Sequence, residues 1–154
     1  MSAHTLYSGY IRVRVGGLYL EDDKLLLIKL KSPITNQLIW VPPGGGVDFK
    51  EPLEKALIRE FLEETTLNIE VRKLNHINEF IENEFHVIEL FFDVMKLSGT
   101  IILGTDPEHS ENDQLIHEIG LFTRSEIESM NVKPDYLRNK FWELTGNTSF
   151  SSHR

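Results

Sequence analysis

Cysteine is absent from the 154 residues of this sequence, which excludes a disulfide framework and a zinc site built on thiolates. Long apolar runs are absent as well, since stretches such as residues 25–28 are far shorter than the ~20 residues of a membrane-spanning helix. Residues 1–14 contain no continuous apolar segment of the secretory type. These absences predict a cytoplasmic protein without a membrane partner.

Positive charge is also scarce. The sequence has 16 Lys and Arg against 24 Asp and Glu, which gives a formal net charge of -8. Nucleic-acid-binding proteins normally present a basic face, so we expect no nucleic-acid partner. If the ligand is a phosphate compound, a source of positive charge other than the mean field of the protein must hold it.

Length and hydrophobic pattern indicate one domain of mixed α and β structure. We expect the domain over residues 1–146 and a flexible tail at residues 147–154. Apolar runs predict strands at residues 10–20, 24–30, 37–41, 68–81, 85–97 and 117–122. Helices are predicted from Pro52, after a capping box at Thr123, and from Pro134 to Gly146. We expect the first two strands to form one hairpin, the fourth and fifth another, and residues 104–112 an exposed loop.

The stretch at residues 44–67, GGGVDFKEPLEKALIREFLEETTL, places carboxylates where a merely soluble helix would not have them. A helix advances ~100° per residue, so Glu60 and Glu64 continue the apolar stripe that packs on the sheet, with Glu63 on its flank. Half-buried carboxylates at this spacing are costly unless a cation compensates them. Arg59 alone cannot neutralise three acids.

Divalent cations that prefer oxygen ligands, Mg²⁺ or Mn²⁺, suit this arrangement, because it contains no sulfur and no adjacent His. The glycines before the helix, Gly44, Gly45 and Gly46, can bring backbone close to a ligand. A cation held between the carboxylates and a bound diphosphate would reverse the sign of the local field. Such a site is compatible with the acidic net charge.

These residues resemble the signature of the Nudix (MutT-like) hydrolases, G-x5-E-x7-R-E-U-x-E-E-x-G-U, in which U is a bulky apolar residue. Gly45 and Glu51 occupy the first two fixed positions, and residues 59–67, REFLEETTL, follow at the required spacing. The one departure is Thr66, where the signature has a Gly that ends the helix in a left-handed conformation. We therefore expect the helix to end by a different turn, with Asn68 in the left-handed position.

The resemblance implies an α/β fold of the Nudix type, an α/β/α sandwich around a mixed β-sheet. It also implies a metal-dependent pyrophosphohydrolase, which cleaves a nucleoside diphosphate linked to another moiety by attack of water on phosphorus. Nucleoside triphosphates, ADP-ribose and nucleotide sugars remain open as the small-molecule substrate. Members of the family often pair, so a homodimer is a further expectation.

Carried over by position, the resemblance assigns roles to residues of the loop and helix. The implied ligands of Mg²⁺ or Mn²⁺ are Gly45, Glu60, Glu63 and Glu64. Glu60 would also accept a proton from the attacking water, and Arg59 would orient the glutamates. Glu51 would support the junction of loop and helix or reach a metal through water. Gly44 and Gly46 would lie against the substrate.

Charged residues outside this segment are further candidates. Glu118 lies on a late strand, in the region where some family members add an acid as base or ligand, and an ordinary surface position explains it equally well. Glu89 interrupts an apolar strand, where an inward-pointing acid would need a partner. Arg14 and Lys29 could reach substrate phosphates from their strands, although a solvated sheet face also accounts for them. His76 is interpreted as a packing or surface residue.

Two alternatives to hydrolysis remain. A Nudix-like isomerase of isoprenoid diphosphates resembles a Cys-dependent chemistry, and this sequence has no Cys. A catalytically inactive nucleotide-binding or regulatory module would typically have lost the glutamates, whereas Glu60, Glu63 and Glu64 are all present.

Overall fold

A computed structural model describes residues 8–104, 116–143 and 146–153. In chain order, its helices and strands are β1 (Ile11–Leu18), β2 (Leu20–Glu21), β3 (Lys24–Lys31), β4 (Leu38–Val41), β5 (Gly44–Gly46), α1 (Leu53–Thr65), β6 (Asn68–Glu82), β7 (Phe85–Ser98), β8 (Ile116–Phe122), α2 (Arg124–Glu128), two 3-10 helices (Asp135–Arg138 and Lys140–Glu143) and β9 (Ser149–His153). None of the helices in these ranges is long and apolar enough to cross a membrane. The loop predicted at residues 104–112 lies outside the described residues, apart from Gly104.

The strands form two sheets. The first has the order β5-β1-β7-β6-β9, and it is mixed because β1 pairs with β7 and β6 with β9 in parallel, whereas the other pairs are antiparallel. The second sheet is antiparallel and has the order β2-β3-β4, with β8 on the other side of β3. The mixed sheet that the sequence predicts is therefore confirmed.

Helices cover both faces of the strands, because successive side chains of a strand point in opposite directions. Leu26 of β3 is fully buried in an apolar cluster with Leu57 and Phe61 of α1. Its neighbours Leu25 and Leu27 are buried in a second cluster with α2 and the 3-10 helices. Burial of each such side chain contributes about 2 kcal/mol. The predicted α/β/α sandwich is confirmed by these two layers.

One of the two predicted hairpins differs from the structure. Residues 10–20 do not pair along their length with residues 24–30, because β1 lies in the first sheet and β3 in the second. Only the short β2 forms a hairpin with β3, through Asp22 and Asp23, which both have positive φ. The chain changes sheets between β1 and β2, since β1 has partners on both sides already in β5 and β7. The hairpin of β6 and β7 is confirmed.

The carboxyl-terminal region also differs from the prediction. The helix expected from Pro134 to Gly146 is instead two 3-10 helices, separated at Asn139, whose φ of -140° and ψ of -77° are not helical. The tail expected at residues 147–154 contains β9, which pairs in parallel with β6. The sequence of β9 is mostly polar, so it contains no apolar run that would predict a strand. Two of its serines form hydrogen bonds with His76, a buried side chain of β6.

Candidate functional site

Three glycines form β5 and bring its backbone against the carboxylates of α1. Gly44 and Gly45 lie opposite Gly16 and Val15 of the antiparallel β1. A β-carbon on Gly44 would lie 2.0 Å from the carbonyl oxygen of Val15, and one on Gly45 would lie 2.4 Å from the carboxyl carbon of Glu60. Any side chain at position 45 would displace the Glu60 carboxylate, so the close contact of strand and helix depends on glycine.

Arg59 connects the loop after β5 to α1. Its Nε and Nη2 donate hydrogen bonds of 2.9 Å to Oε2 and Oε1 of Glu51, respectively. Its Nη1 donates to Glu60 Oε1 at 2.9 Å, and Nη2 also donates to the Gly46 carbonyl at 3.4 Å. The hydrogen bonds with Arg59 lower the pKa of Glu51, and those with Glu51 raise the pKa of Arg59. Glu51 is therefore a carboxylate that closes the loop onto the helix.

More acids surround this guanidinium than it can balance. Besides Glu51 and Glu60, an oxygen of Glu63 lies 3.7 Å from Arg59 Nη1 and one of Asp48 lies 3.8 Å from Nη2. One positive charge thus faces four carboxylates within 4 Å. The surplus of negative charge makes this end of the sheet attractive to a cation.

Glu64 is the most deeply buried acid of α1, with 5% of its surface exposed. Its Oε2 has no hydrogen-bond partner among the residues that the structure describes. Burial raises the pKa of Glu64 well above its usual value, and the charge of Glu60 raises it further, whereas Arg14 and the Gly44 amide lower it. Burial also raises the pKa of Glu60, against the lowering effects of Glu64 and Arg59. A second positive charge would therefore stabilise this pair of carboxylates.

The helix ends at Thr66 in the way that the motif glycine would end it. Thr66 has φ 64° and ψ 11°, in the left-handed region, and its N–H donates to the Leu62 carbonyl at 3.0 Å. Its hydroxyl donates to the Thr100 carbonyl. The prediction that Asn68 takes the left-handed position is wrong, since Asn68 is the first residue of β6. The extra hydrogen bond of the threonine offsets part of the strain of its conformation.

The segment after β7 covers the end of α1. Ile102 N–H donates to the Thr65 carbonyl at 3.0 Å, and Gly104 N–H donates to the Glu64 carbonyl at 2.8 Å. The last carbonyls of a helix have no partner within the helix, so these bonds satisfy groups that would otherwise need water. They also fix the backbone of the turn that carries Glu64.

Arg14 and Glu89 face each other on β1 and β7, with Arg14 Nε 3.8 Å from Glu89 Oε2. Asn78 lies opposite Glu89 in the hairpin of β6 and β7, and its amide donates to Glu89 Oε1 at 3.1 Å. Glu89 therefore has the partners that an inward-pointing acid requires. The sequence analysis missed Asn78, and the signal that could have identified it is the hairpin register, which brings residue 78 opposite residue 89.

Lys29 and Glu118 are opposite each other on β3 and β8, and their side chains form an ion pair of 3.3 Å. Lys29 Nζ also lies 5.8 Å from the centre of the Trp40 ring. Glu118 is largely exposed, with 59% of its side-chain surface accessible. The structure thus places both residues in the second sheet, whereas Arg14 and the glycine strand belong to the first.

The acids do not converge as a finished metal centre. Within the described segments, no group of three or more His, Asp or Glu side chains is arranged to hold a metal ion. Arg59 Nη1 lies 2.9 Å from an oxygen of Glu60 and 3.7 Å from one of Glu63, so both carboxylates face the guanidinium. Glu64, in contrast, keeps one oxygen without a partner in the described part of the chain.

The NUDIX domain family matches residues 11–139, which include the glycine strand, Arg59 and the glutamates. The chain belongs to the Nudix family. This agrees with a likeness to the ADP-ribose pyrophosphatase of Methanocaldococcus jannaschii, which is 29% identical over 131 residues, or 83% of this chain and 74% of that protein. The family predicted from the sequence signature is thus confirmed.

Solved Nudix structures share the fold. The MutT Nudix hydrolase of Burkholderia pseudomallei is 29% identical with a TM-score of 0.64, over 76% of this chain and 86% of that one. The MutT protein of Methanosarcina mazei Go1 is 25% identical with a TM-score of 0.68, over 86% of this chain and 91% of that one. This Nudix protein is a hydrolase that acts on pyrophosphate bonds.

Nudix hydrolases generally use divalent metal ions. The donors of β5 and of the second half of α1 fit such an ion, because they are backbone groups and carboxylate oxygens, which hard divalent cations prefer. The partnerless, buried Oε2 of Glu64 supports this fit most directly, since a bound cation would supply the positive charge that the described residues do not provide.

Proposed function

We propose that this protein is a metal-dependent pyrophosphohydrolase whose metal ligands are Glu60, Glu63, Glu64 and the backbone of Gly45. The observation that carries the proposal is the buried Glu64 carboxylate, which has one oxygen without a partner in the described segments and lies beside a second acid. A carboxylate in that position is costly for a protein that does not bind a cation. Mg²⁺ or Mn²⁺ is the cofactor that matches an oxygen-only donor set.

When bound, the cation would neutralise the diphosphate and lower the pKa of a coordinated water. Glu60 is the proposed acceptor of a proton from the attacking water, because its carboxylate lies against Gly45 and beside Glu64 at the proposed metal site. Arg59 holds Glu60 and Glu51 in fixed directions through its hydrogen bonds. Gly44 and Gly46 are the proposed backbone contacts of the substrate along β5.

The proposed substrate is a nucleoside diphosphate linked to another moiety, with ADP-ribose as the first candidate. The name of the Methanocaldococcus jannaschii relative supports this choice. Water would add to one phosphorus of the diphosphate while the anhydride P–O bond breaks, which gives AMP and ribose 5-phosphate from ADP-ribose. Arg14 is the proposed phosphate contact, because it is a cation beside the glutamate cluster. Lys29 is a second proposed contact from the neighbouring sheet.

The test is a hydrolysis assay of the full chain with ADP-ribose, nucleoside triphosphates and nucleotide sugars, each with Mg²⁺ and with Mn²⁺. We expect release of a nucleoside monophosphate, and a Glu60→Gln protein should be about 100-fold slower or more. Glu54→Gln is the matched control, because Glu54 lies exposed on the same helix. It should retain the activity of the wild type.

A second measurement does not depend on activity. Mn²⁺ should raise the melting temperature of the wild type and of Glu54→Gln, but much less that of Glu64→Gln, since a ligand stabilises only the state that binds it. Equal stabilisation of all three proteins by Mn²⁺ would show that Glu64 is not a metal ligand. Metal binding without hydrolysis of any of these substrates would favour the alternative of an inactive nucleotide-binding module.

A further inference from the structure

A row of polar side chains crosses the first sheet from its outer strand to the strand beside the glutamates. Its members come from β9, β6, β7 and β1, and consecutive members are in contact. In spatial order they are Ser149, His76, Ser151, Asn78, Glu89 and Arg14. Two of them are deeply buried, because His76 is 1% exposed and Asn78 is 8% exposed.

The donors and acceptors of this row can be assigned from Glu89 outward. A carboxylate only accepts, so the Asn78 amide nitrogen donates to Glu89 at 3.1 Å, and the Asn78 oxygen faces Ser151. The Ser151 hydroxyl must then donate to that oxygen at 2.7 Å. Its one proton is thereby used, so its oxygen accepts from His76 Nε2 at 2.8 Å. His76 Nδ1 accepts in turn from Ser149 at 2.7 Å.

The far end of the row is held rigidly. The ring of His76 stacks on Tyr136 with centroids 3.8 Å apart and planes 1° apart, and it lies 6.3 Å from the ring of Phe91. A stacked ring with both nitrogens bonded cannot rotate without losing these contacts. It therefore provides a fixed point from which the hydrogen bonds of Ser151 and Asn78 are aligned.

The near end of the row lies at the site. Arg14 is opposite Glu89 on one side and opposite Gly46 of the glycine strand on the other. Its charge acts on Glu64. The ion pair with Glu89, whose carboxylate accepts a hydrogen bond from Asn78, is thus a contact that can orient the Arg14 side chain.

We infer that Ser151, acting through Asn78 and Glu89, is a positioning residue for Arg14, so that the carboxyl-terminal strand sets the phosphate-binding side of the site. This rests on the proposed function as far as Arg14 binds substrate phosphate. The neighbouring Ser152 provides a contrast on the same strand. Its hydroxyl also bonds to a β6 side chain, the Oε1 atom of Glu79 at 3.1 Å, but Glu79 is not a member of the row.

The experiment compares Ser151→Ala with Ser152→Ala in the full chain. Each substitution removes one hydroxyl from β9. Ser151→Ala loses the hydrogen bonds to Asn78 and His76, and Ser152→Ala loses the one to Glu79. We expect Ser151→Ala to raise the KM for ADP-ribose about fivefold with kcat within about twofold, since coupling along such networks has this size. Ser152→Ala should leave both constants unchanged, and Ser151→Thr, which keeps the hydroxyl, should restore KM.

A nuclear magnetic resonance measurement tests the positioning itself. The Arg14 Nε–H signal should shift in Ser151→Ala and stay in place in Ser152→Ala. Because coupling is reciprocal, Glu89→Gln should shift the ring N–H signal of His76. This second variant also decides the inference if Ser151→Ala proves poorly folded.

The outcomes separate the two proposals. An unmoved Arg14 signal in Ser151→Ala, or equal effects of the two alanine substitutions, would overturn the role of Ser151. If the wild type hydrolyses no nucleotide, the proposed function fails, while the Arg14 and His76 signals still decide whether β9 positions Arg14.

Discussion

The two ends of α1 treat their carboxylates in opposite ways. At the start of the helix, Glu51 accepts two hydrogen bonds from Arg59 and one from the Asp48 amide, so both of its oxygens are satisfied. Near its end, Glu64 is more deeply buried, yet its Oε2 has no partner in the described part of the chain. Paired groups maintain a fold, whereas a costly unpaired acid is retained where it serves a ligand.

The largest effect expected from breaking this contrast is that of Glu64→Gln. Removing the buried charge should lower kcat for ADP-ribose about 1,000-fold, which corresponds to about 4 kcal/mol. The same change should raise the free energy of unfolding of the metal-free protein by about 1–3 kcal/mol, since the cost of burying an ionisable carboxyl group disappears. Steady-state assays and urea titration measure the two quantities. A slower and also less stable protein would contradict the assignment of Glu64 as an unpaired functional acid.

His76 is also deeply buried, but unlike Glu64 it has a hydrogen-bond partner for each of its polar atoms, Ser149 for Nδ1 and Ser151 for Nε2. Burial, with the nearby charge of Lys140, lowers the pKa of His76 from 6.5 to about 4. As the pH falls, the unfolded chain therefore takes up a proton on His76 before the folded protein does. The free energy of unfolding is unaffected by this group above pH 6.5 and decreases as the pH falls towards 4. The loss from this group should reach about 3 kcal/mol at pH 4.

His76→Gln serves as the comparison for that pH dependence. The acids of both proteins titrate alike, so the difference between their stability curves isolates the imidazole. Denaturant titrations at several values between pH 7 and pH 4 should give a flatter curve for the glutamine variant. Parallel curves would show that His76 does not carry the effect.

At the paired end of the helix, Arg59→Met should destabilise the protein by about 2 kcal/mol, because it leaves Glu51, Glu60 and Glu63 without their shared cation. Arg124→Met is the control. Arg124 also faces a glutamate, Glu128, but the pair is exposed and 3.9 Å apart, and its loss should cost less than about 0.5 kcal/mol. Equal melting temperatures for the two variants would refute a special role for Arg59.

The smallest effect is expected at Thr66, just beyond the unpaired acid. Thr66→Ala keeps the left-handed strain and loses the hydrogen bond to Thr100, so it should cost about 1 kcal/mol. Thr66→Gly loses the same bond but relieves the strain, and its change in stability should stay within about 0.5 kcal/mol. Thermal unfolding of the two variants and the wild type measures these changes in stability. The reverse order of stability would show that the strain is not relieved by glycine.

The features that could be predicted from the sequence are those whose signals lie within a few neighbouring residues. The spacing of Glu60 and Glu64 along the apolar stripe predicted that both face the sheet, and the structure buries Glu64 and leaves Glu60 half-buried. The hairpin of β6 and β7 and the capping box, in which the Thr123 hydroxyl accepts from the Glu126 amide, are also local features. Patterns of this kind are decided within a few residues.

The features that could not be predicted depend on contacts between segments that are distant in the sequence. The partners of β1 are β5 and β7, and the pattern of residues 10–20 contains nothing that prefers them to β3. The strand β9 pairs with β6, and two of its serines bind His76, 73 and 75 positions away in the sequence. The resemblance implied that Arg59 orients the glutamates, but the atoms that meet, Nη1 of Arg59 and Oε1 of Glu60, could be identified only from the side-chain geometry.

The pairing of β9 with residues 76–80 of β6 has a further consequence, for the behaviour of the protein at high concentration. β6 is a strand of 15 residues, and an open edge of that length is a template for pairing with other molecules. The strand that covers its middle is short and rich in serine, so it offers a poor edge itself. Proteolytic removal of β9 would therefore be expected to cause aggregation of an otherwise intact fold.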